Sequence, residues 1–211
     1  MTDQKHASYR AAWVPMALPE HPLDPAVELC IGWINSEAHR LGLYPVLMSP
    51  TRPAVESSEP LAEFAAANVH ITALSHAILP GSGPVLSYTP DVKELVTAVT
   101  LTKDTALCVL ENVIFPVHGW AAAVGALNLA TGQVTDPPPE DLATQLRRLA
   151  HAGYKGFTDN PTKLSANEIL TAMSERDDYD PGFIVGYLAA QKQVSAAGLV
   201  RLQGMAAEFA P

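Results

Sequence analysis

Apolar positions in the first half of the chain take two spacings: short continuous runs, and stripes that recur every three or four residues. After a polar opening through Arg10, the run over Ala12 to Leu18 predicts an edge or interrupted strand, because its internal proline removes a ladder donor. From Ala26 to Leu41 the apolar residues Val27, Cys30, Ile31, Ile34, Ala38 and Leu41 fall on one helical face. Asp24 and Pro25 offer a cap and a first-turn proline for that helix, and Gly42 offers a stop. YPVLMSP then reads as a strand delivering Ser49 to a proline-punctuated loop. Leu61 to Val69 reads as a short helix, and HITALS and VLSYTP as strands on either side of the loop HAILPGSGP. Asp91 predicts the cap of a helix running to about Thr102. ALCVLE, from Ala106 to Glu111, is an almost unbroken apolar run ending in an acid, as expected of an interior strand covered on both faces.

The second half has a different rhythm. The stretch Gly119 to Val134 fits two patterns: WAAAVGAL has the alanine content of a helix, while GALNLATGQV alternates like strands around a Thr-Gly turn; of the two we read a strand and a hairpin turning at Gly132. Pro137 to Pro139 form a stiff boundary. Beyond it the pattern is helical, with Leu142, Leu146 and Leu149 on one side of the first helix. Ser165 with Glu168 predicts a capping box, Asp180 with Pro181 a further helix start, and a last helix closes the chain. The expected architecture is a three-layer α/β fold: a mixed or mainly parallel sheet with right-handed crossovers, followed by a C-terminal helical segment. Residues 1–136 would form the α/β core and 140–211 a small helical subdomain packed on it. At the level of fold this alternation resembles nucleotide-binding α/β domains, which implies a Rossmann-like core and no particular function.

Composition and charge narrow the classes of function. The chain has 211 residues, 48% of them hydrophobic and 17% charged, a mixture that argues against disorder over its whole length. Asp and Glu number 22 against 13 Lys and Arg, for a net charge of −9. That balance weighs against generic nucleic-acid binding and against docking on anionic membranes. There is no apolar run long enough for a membrane span and no signal-peptide pattern at the start, so a cytoplasmic protein is expected. Cys30 and Cys108 sit in apolar runs and read as buried free thiols. The scattered histidines form no metal-ligand motif, so no metal site is expected.

The residues with candidate chemistry are few. Glu111 and His118 form the candidate catalytic pair: a strand-terminal carboxylate emerges where ligands bind in open α/β sheets, and a histidine seven positions on is able to shuttle a proton. Asn112 and Trp120 flank them as candidate ligand contacts. The loop containing His76, Gly81, Ser82 and Gly83 offers backbone N–H groups to an anion, although it matches neither GxGxxG nor the P-loop pattern. Asp177, Asp178 and Asp180 read as a solvated turn, and Arg147, Arg148, His151 and Lys155 as a small solvated basic face. Trp13 and Trp33 read as core or interface aromatics. The functional expectation is a small-molecule or nucleotide-binding α/β protein, with hydrolase or transferase chemistry through the carboxylate and the histidine. The alternatives are a non-catalytic interaction or homodimeric scaffold, and a nucleic-acid-associated regulator. No cofactor is named by the sequence.

Overall fold

The structure is a computed structural model and describes residues 9–15, 22–72 and 80–210. The apolar runs become the strands β1 (Arg10–Val14), β2 (Val46–Ser49), β3 (Val69–Thr72), β4 (Val85–Tyr88) and β5 (Ala106–Leu110). Two short strands, β6 (Leu127–Asn128) and β7 (Gln133–Val134), complete a sheet of order β3-β2-β4-β5-β1-β6-β7. Every pairing is parallel except the β6–β7 hairpin. All five residues of β5 are buried, as a strand covered on both faces requires.

The helices divide according to the direction of each crossover. α1 (Leu23–Leu41) and α2 (Glu59–Ala67) carry the chain from β1 to β2 to β3 and cover one face. α3 (Val92–Leu101) and α4 (His118–Val124) carry it the opposite way and cover the other. Right-handed crossovers impose this division. Strand alternation serves both layers: Ala12, Val14, Leu47, Leu86, Cys108 and Leu110 face α1 and α2, while Trp13, Met48, Val85, Leu107 and Val109 face α3 and α4. The remaining helices, α5 (Glu140–Ala152), α6 (Asn160–Ser174), α7 (Pro181–Gln191) and α8 (Ala196–Ala207), join this second layer. Leu146, Leu170, Leu188 and Leu202 belong to the same apolar cluster as the strand residues Val109 and Met48. The molecule is therefore a three-layer α/β fold with a mostly parallel mixed sheet and C-terminal helices.

Local chemistry explains several boundaries. Asp91 accepts from the Glu94 N–H (2.8 Å) while the Glu94 carboxylate accepts from the Asp91 N–H (2.7 Å), a complete capping box. Gly42 ends α1 at φ 65°. Asp180 caps α7, with Pro181 in the first turn. The buried Glu37 of α1 is held by Arg10 of β1 (2.5 Å) and by Arg40 (2.7 Å), tying the first strand to the first helix.

Four boundary expectations are corrected. The first strand spans Arg10 to Val14, ending ahead of Pro15, and it is paired on both sides, by β5 and β6, so it is not an edge; Met16 to Leu18 lie outside the described residues. α1 begins at Leu23 behind Pro22, so Asp24 lies in its first turn instead of capping it. α6 begins at Asn160, capped by Asp159, whose side chain accepts from the Thr162 N–H (2.9 Å); Ser165 is inside the helix and no capping box forms with Glu168. The segment read as a strand ahead of the hairpin is α4: its alanines pack as a helix that Gly125 ends at φ 64°, and strand pairing starts only at Leu127. The hairpin itself forms, with Gly132 at φ 72°.

Candidate functional site

A cleft of about 620 Å³ opens beside β1, between α4, the β6–β7 hairpin, the proline linker and the start of α7. That volume lies within the range of small-molecule sites. Its floor is Trp13, which alternation along β1 turns away from α1 and which is only 6% exposed. The indole Nε1 donates to Thr135 Oγ1 (2.9 Å), and that hydroxyl donates onward to the Ala126 carbonyl (2.9 Å). The ring is thereby pinned to the hairpin.

His118 stacks on Trp13, with ring centroids 5.8 Å apart and planes 17° from parallel. Phe183 of α7 meets the imidazole edge-on at 5.6 Å and 76°. This arrangement depends on a close crossing of α4 and α7. A Cβ on Gly119 would lie 1.9 Å from the Phe183 carbonyl oxygen, and one on Gly186 would lie 3.1 Å from the Trp120 nitrogen. Only glycine at position 119 lets the two backbones meet, and their meeting sets Phe183 against His118.

The polar rim comes from three places. Asn128 of β6 accepts from the N–H groups of Ala130 (2.9 Å) and Thr131 (3.3 Å), fixing the hairpin turn. Asp136 opens the proline linker and, among the described residues, makes no hydrogen bond or ion pair. Asp178 and Asp180 come from the turn before α7. Asp180 Oδ1 accepts from the Gly182 N–H (2.8 Å). Asp178 receives Arg176 on both oxygens, at 2.8 and 3.1 Å, and this guanidinium holds its carboxyl below the usual carboxylate range. Arg176 also bonds Asp141. Among the described residues, no lysine or arginine lines the cleft.

Of the residues singled out from sequence, His118 lines this cleft. Glu111 sits at the root of the same turn, where Oε1 accepts from the Val117 N–H (2.9 Å) just ahead of α4; the carboxylate thus secures the start of the helix that presents His118. Asn112 acts on the neighbouring loop: its Nδ2 donates to the Thr89 carbonyl (3.1 Å) and its Oδ1 accepts from the Ile114 N–H (2.7 Å). Trp120 points inward, fully buried, with Nε1 donating to the Tyr9 hydroxyl (3.2 Å). Gly81, Ser82 and Gly83 precede β4 and so lie at the amino ends of the parallel strands, the opposite end from Glu111. There the Gly81 N–H donates to the Leu101 carbonyl (2.8 Å), and a Cβ on Gly83 would strike the Tyr44 carbonyl oxygen at 2.0 Å. His76 lies outside the described residues.

Two further groupings have candidate chemistry. At the carboxyl ends of β2 and β3, Ser49 Oγ is 2.7 Å from His70 Nε2 and donates to the Thr51 carbonyl (2.8 Å). Burial, and then the nearby Arg52 charge, push the His70 pKa down and favour the neutral ring. Ser49 is only 1% exposed. A basic groove between α5 and α6 is lined by Arg147, Arg148, His151 and Ser165. Among the described residues no helix is long and apolar enough to cross a membrane, and no group of three or more His, Cys, Asp or Glu converges as metal ligands would.

Sequence reasoning did not assign Trp13, Asn128, Asp136 or Phe183 to a site. Their sole local signals were an aromatic at an outward strand position and an acid ahead of three prolines. Comparison with protein-family models, with curated proteins and with solved structures gave no match to this chain.

Proposed function

We propose that the protein binds a small molecule in the cleft beside β1, with His118 as the polar ring that contacts it and Glu111 as the residue that positions the His118 turn. The observation that carries this reading is the Trp13–His118–Phe183 ring assembly on the floor of a 620 Å³ cleft. The aspartate rim favours a small molecule without phosphates over a nucleotide, since charge repulsion opposes a phosphate there. The buried thiols Cys30 and Cys108 support a reducing, cytoplasmic setting. A fragment screen by ¹H–¹⁵N NMR tests the site. Binders are expected to shift the Trp13 indole signal and the His118 amide. If every binder perturbs residues elsewhere, or none binds at millimolar concentration, the reading fails.

A second reading, an interaction or homodimeric scaffold, is favoured by Val113 and Ile114, which are 65% and 84% exposed at the loop after β5. Light scattering tests it: a dimer that Ile114→Asp disperses would support this reading, and a monomer at every concentration would remove it.

A further inference from the structure

We infer that the cleft selects an organic cation, an ammonium or guanidinium group on an apolar body; this rests on the small-molecule reading of the same cleft. The first support is the ring wall. Trp13 and Phe183 line one end of the cavity, and a cation that meets an open face of either ring is held by its quadrupole. The second is the sign and availability of the charge. Among the described residues, three aspartates and no lysine or arginine line the cavity. Asp178 is already neutralised by Arg176 on both oxygens. Asp180 commits Oδ1 to the helix cap. Asp136 is committed to nothing among the described residues and faces the cavity from the linker, so its charge is open to a ligand.

The spacing of these groups separates an organic cation from a metal ion. Asp136 stands on the linker and Asp178 and Asp180 on the turn before α7, and among the described residues they do not converge with other ligands into a coordination shell. A compact divalent ion needs such convergence, whereas an extended cation reaches a carboxylate at one end and rings along its body. Leu142 and the prolines of the linker supply apolar surface for that body. A bound anion would be repelled by these aspartates, since Arg176, the cation beside them, is already engaged by Asp178 and Asp141.

Three probes of nearly equal shape test the inference: choline, its neutral carbon analogue 3,3-dimethyl-1-butanol, and the anion 3,3-dimethylbutanoate. Binding is read from the Trp13 indole and His118 signals of the full chain. Choline is expected to bind at least tenfold more tightly than either of the others and to weaken as salt is raised. Asp136→Asn, a change at an exposed linker position, is expected to reduce choline binding severalfold and to leave the neutral analogue unaffected. If the neutral or anionic probe matches choline, or if Asp136→Asn leaves the preference intact, the cation assignment is overturned while the cleft remains a ligand site. If none of the probes, nor any fragment, moves those signals, the small-molecule reading falls and this inference falls with it.

Discussion

Helix α5 runs between two grooves that differ in how their charge is held. On one side, Leu142 faces the aspartate-rimmed cleft; on the other, Arg147, Arg148 and His151 line a basic groove against α6. The basic groove has the higher density of formal charge, yet its cations are satisfied along their own helix. Arg147 bonds Glu140 (2.6 Å) and Thr144 (2.9 Å), and Arg148 bonds Gln145 (2.9 Å). The cleft has a lower density of formal charge, but β1, the hairpin, α4 and α7 fix its rings from different directions. Preorganised rings beside one uncommitted carboxylate make a better site than mobile cations with partners in reach.

The strongest way to break this contrast is Gly119→Ala. The new methyl group would meet the Phe183 carbonyl, forcing α4 and α7 apart. A destabilisation of about 3 kcal/mol is expected in denaturant unfolding, and the Phe183 ring is expected to draw away from His118. A variant of wild-type stability would show that the tight crossing does not set the cleft.

Alkaline pH should also act from the cleft side. Burial raises the Tyr9 pKa to about 12, and Tyr9 accepts the Trp120 indole bond beneath α4. The folded value lies above the unfolded one, so this contribution is whole below pH 10 and is lost as pH rises from 10 through 12. It is expected to amount to roughly 2 kcal/mol. Phenolate absorbance together with unfolding curves reads it; ionisation of all tyrosines near pH 10 without loss of stability would contradict it.

A smaller effect is expected of Thr135→Val, which strips the partner from the Trp13 Nε1 donor. The expected cost is about 1–2 kcal/mol, with the Trp13 indole signal broadened; an unchanged signal would show that packing alone pins the ring. The smallest change belongs to the basic groove. Arg148→Ala should alter stability by less than about 0.5 kcal/mol, because the pairing it removes is exposed. A larger loss would place structural weight on that groove and narrow the contrast.

The layered fold is readable in the sequence because its signals are local. The unbroken run of β5, the Asp91 cap and the Gly42 stop each lie within a few residues, and all three form. The α4 segment departs from its strand expectation because alanine is the strongest helix former and is depleted in strands, and α7 packs against the helix it forms. Asp24 and Ser165 carry cap chemistry in sequence, but the helices begin earlier, behind Pro22 and at Asp159. The site is less legible than the fold. His118 stands out in sequence as a polar ring beside glycine and tryptophan. Its partners come from β1, the linker and α7, and no spacing along the chain announces such a meeting.

The place of β1 in the sheet also governs when the protein is able to fold. Its rungs are made with β5 and β6, about a hundred residues further along the chain, and with no strand made before them. During synthesis β1 has no partner strand until β5, through Leu110, has left the ribosome, and its second neighbour, β6, follows only with Asn128. Contacts of such long sequence separation slow folding, since the chain loses the entropy of closing a long loop before it gains the pairing. The cleft floor is thus laid by a strand whose pairing partners are made about a hundred residues after it.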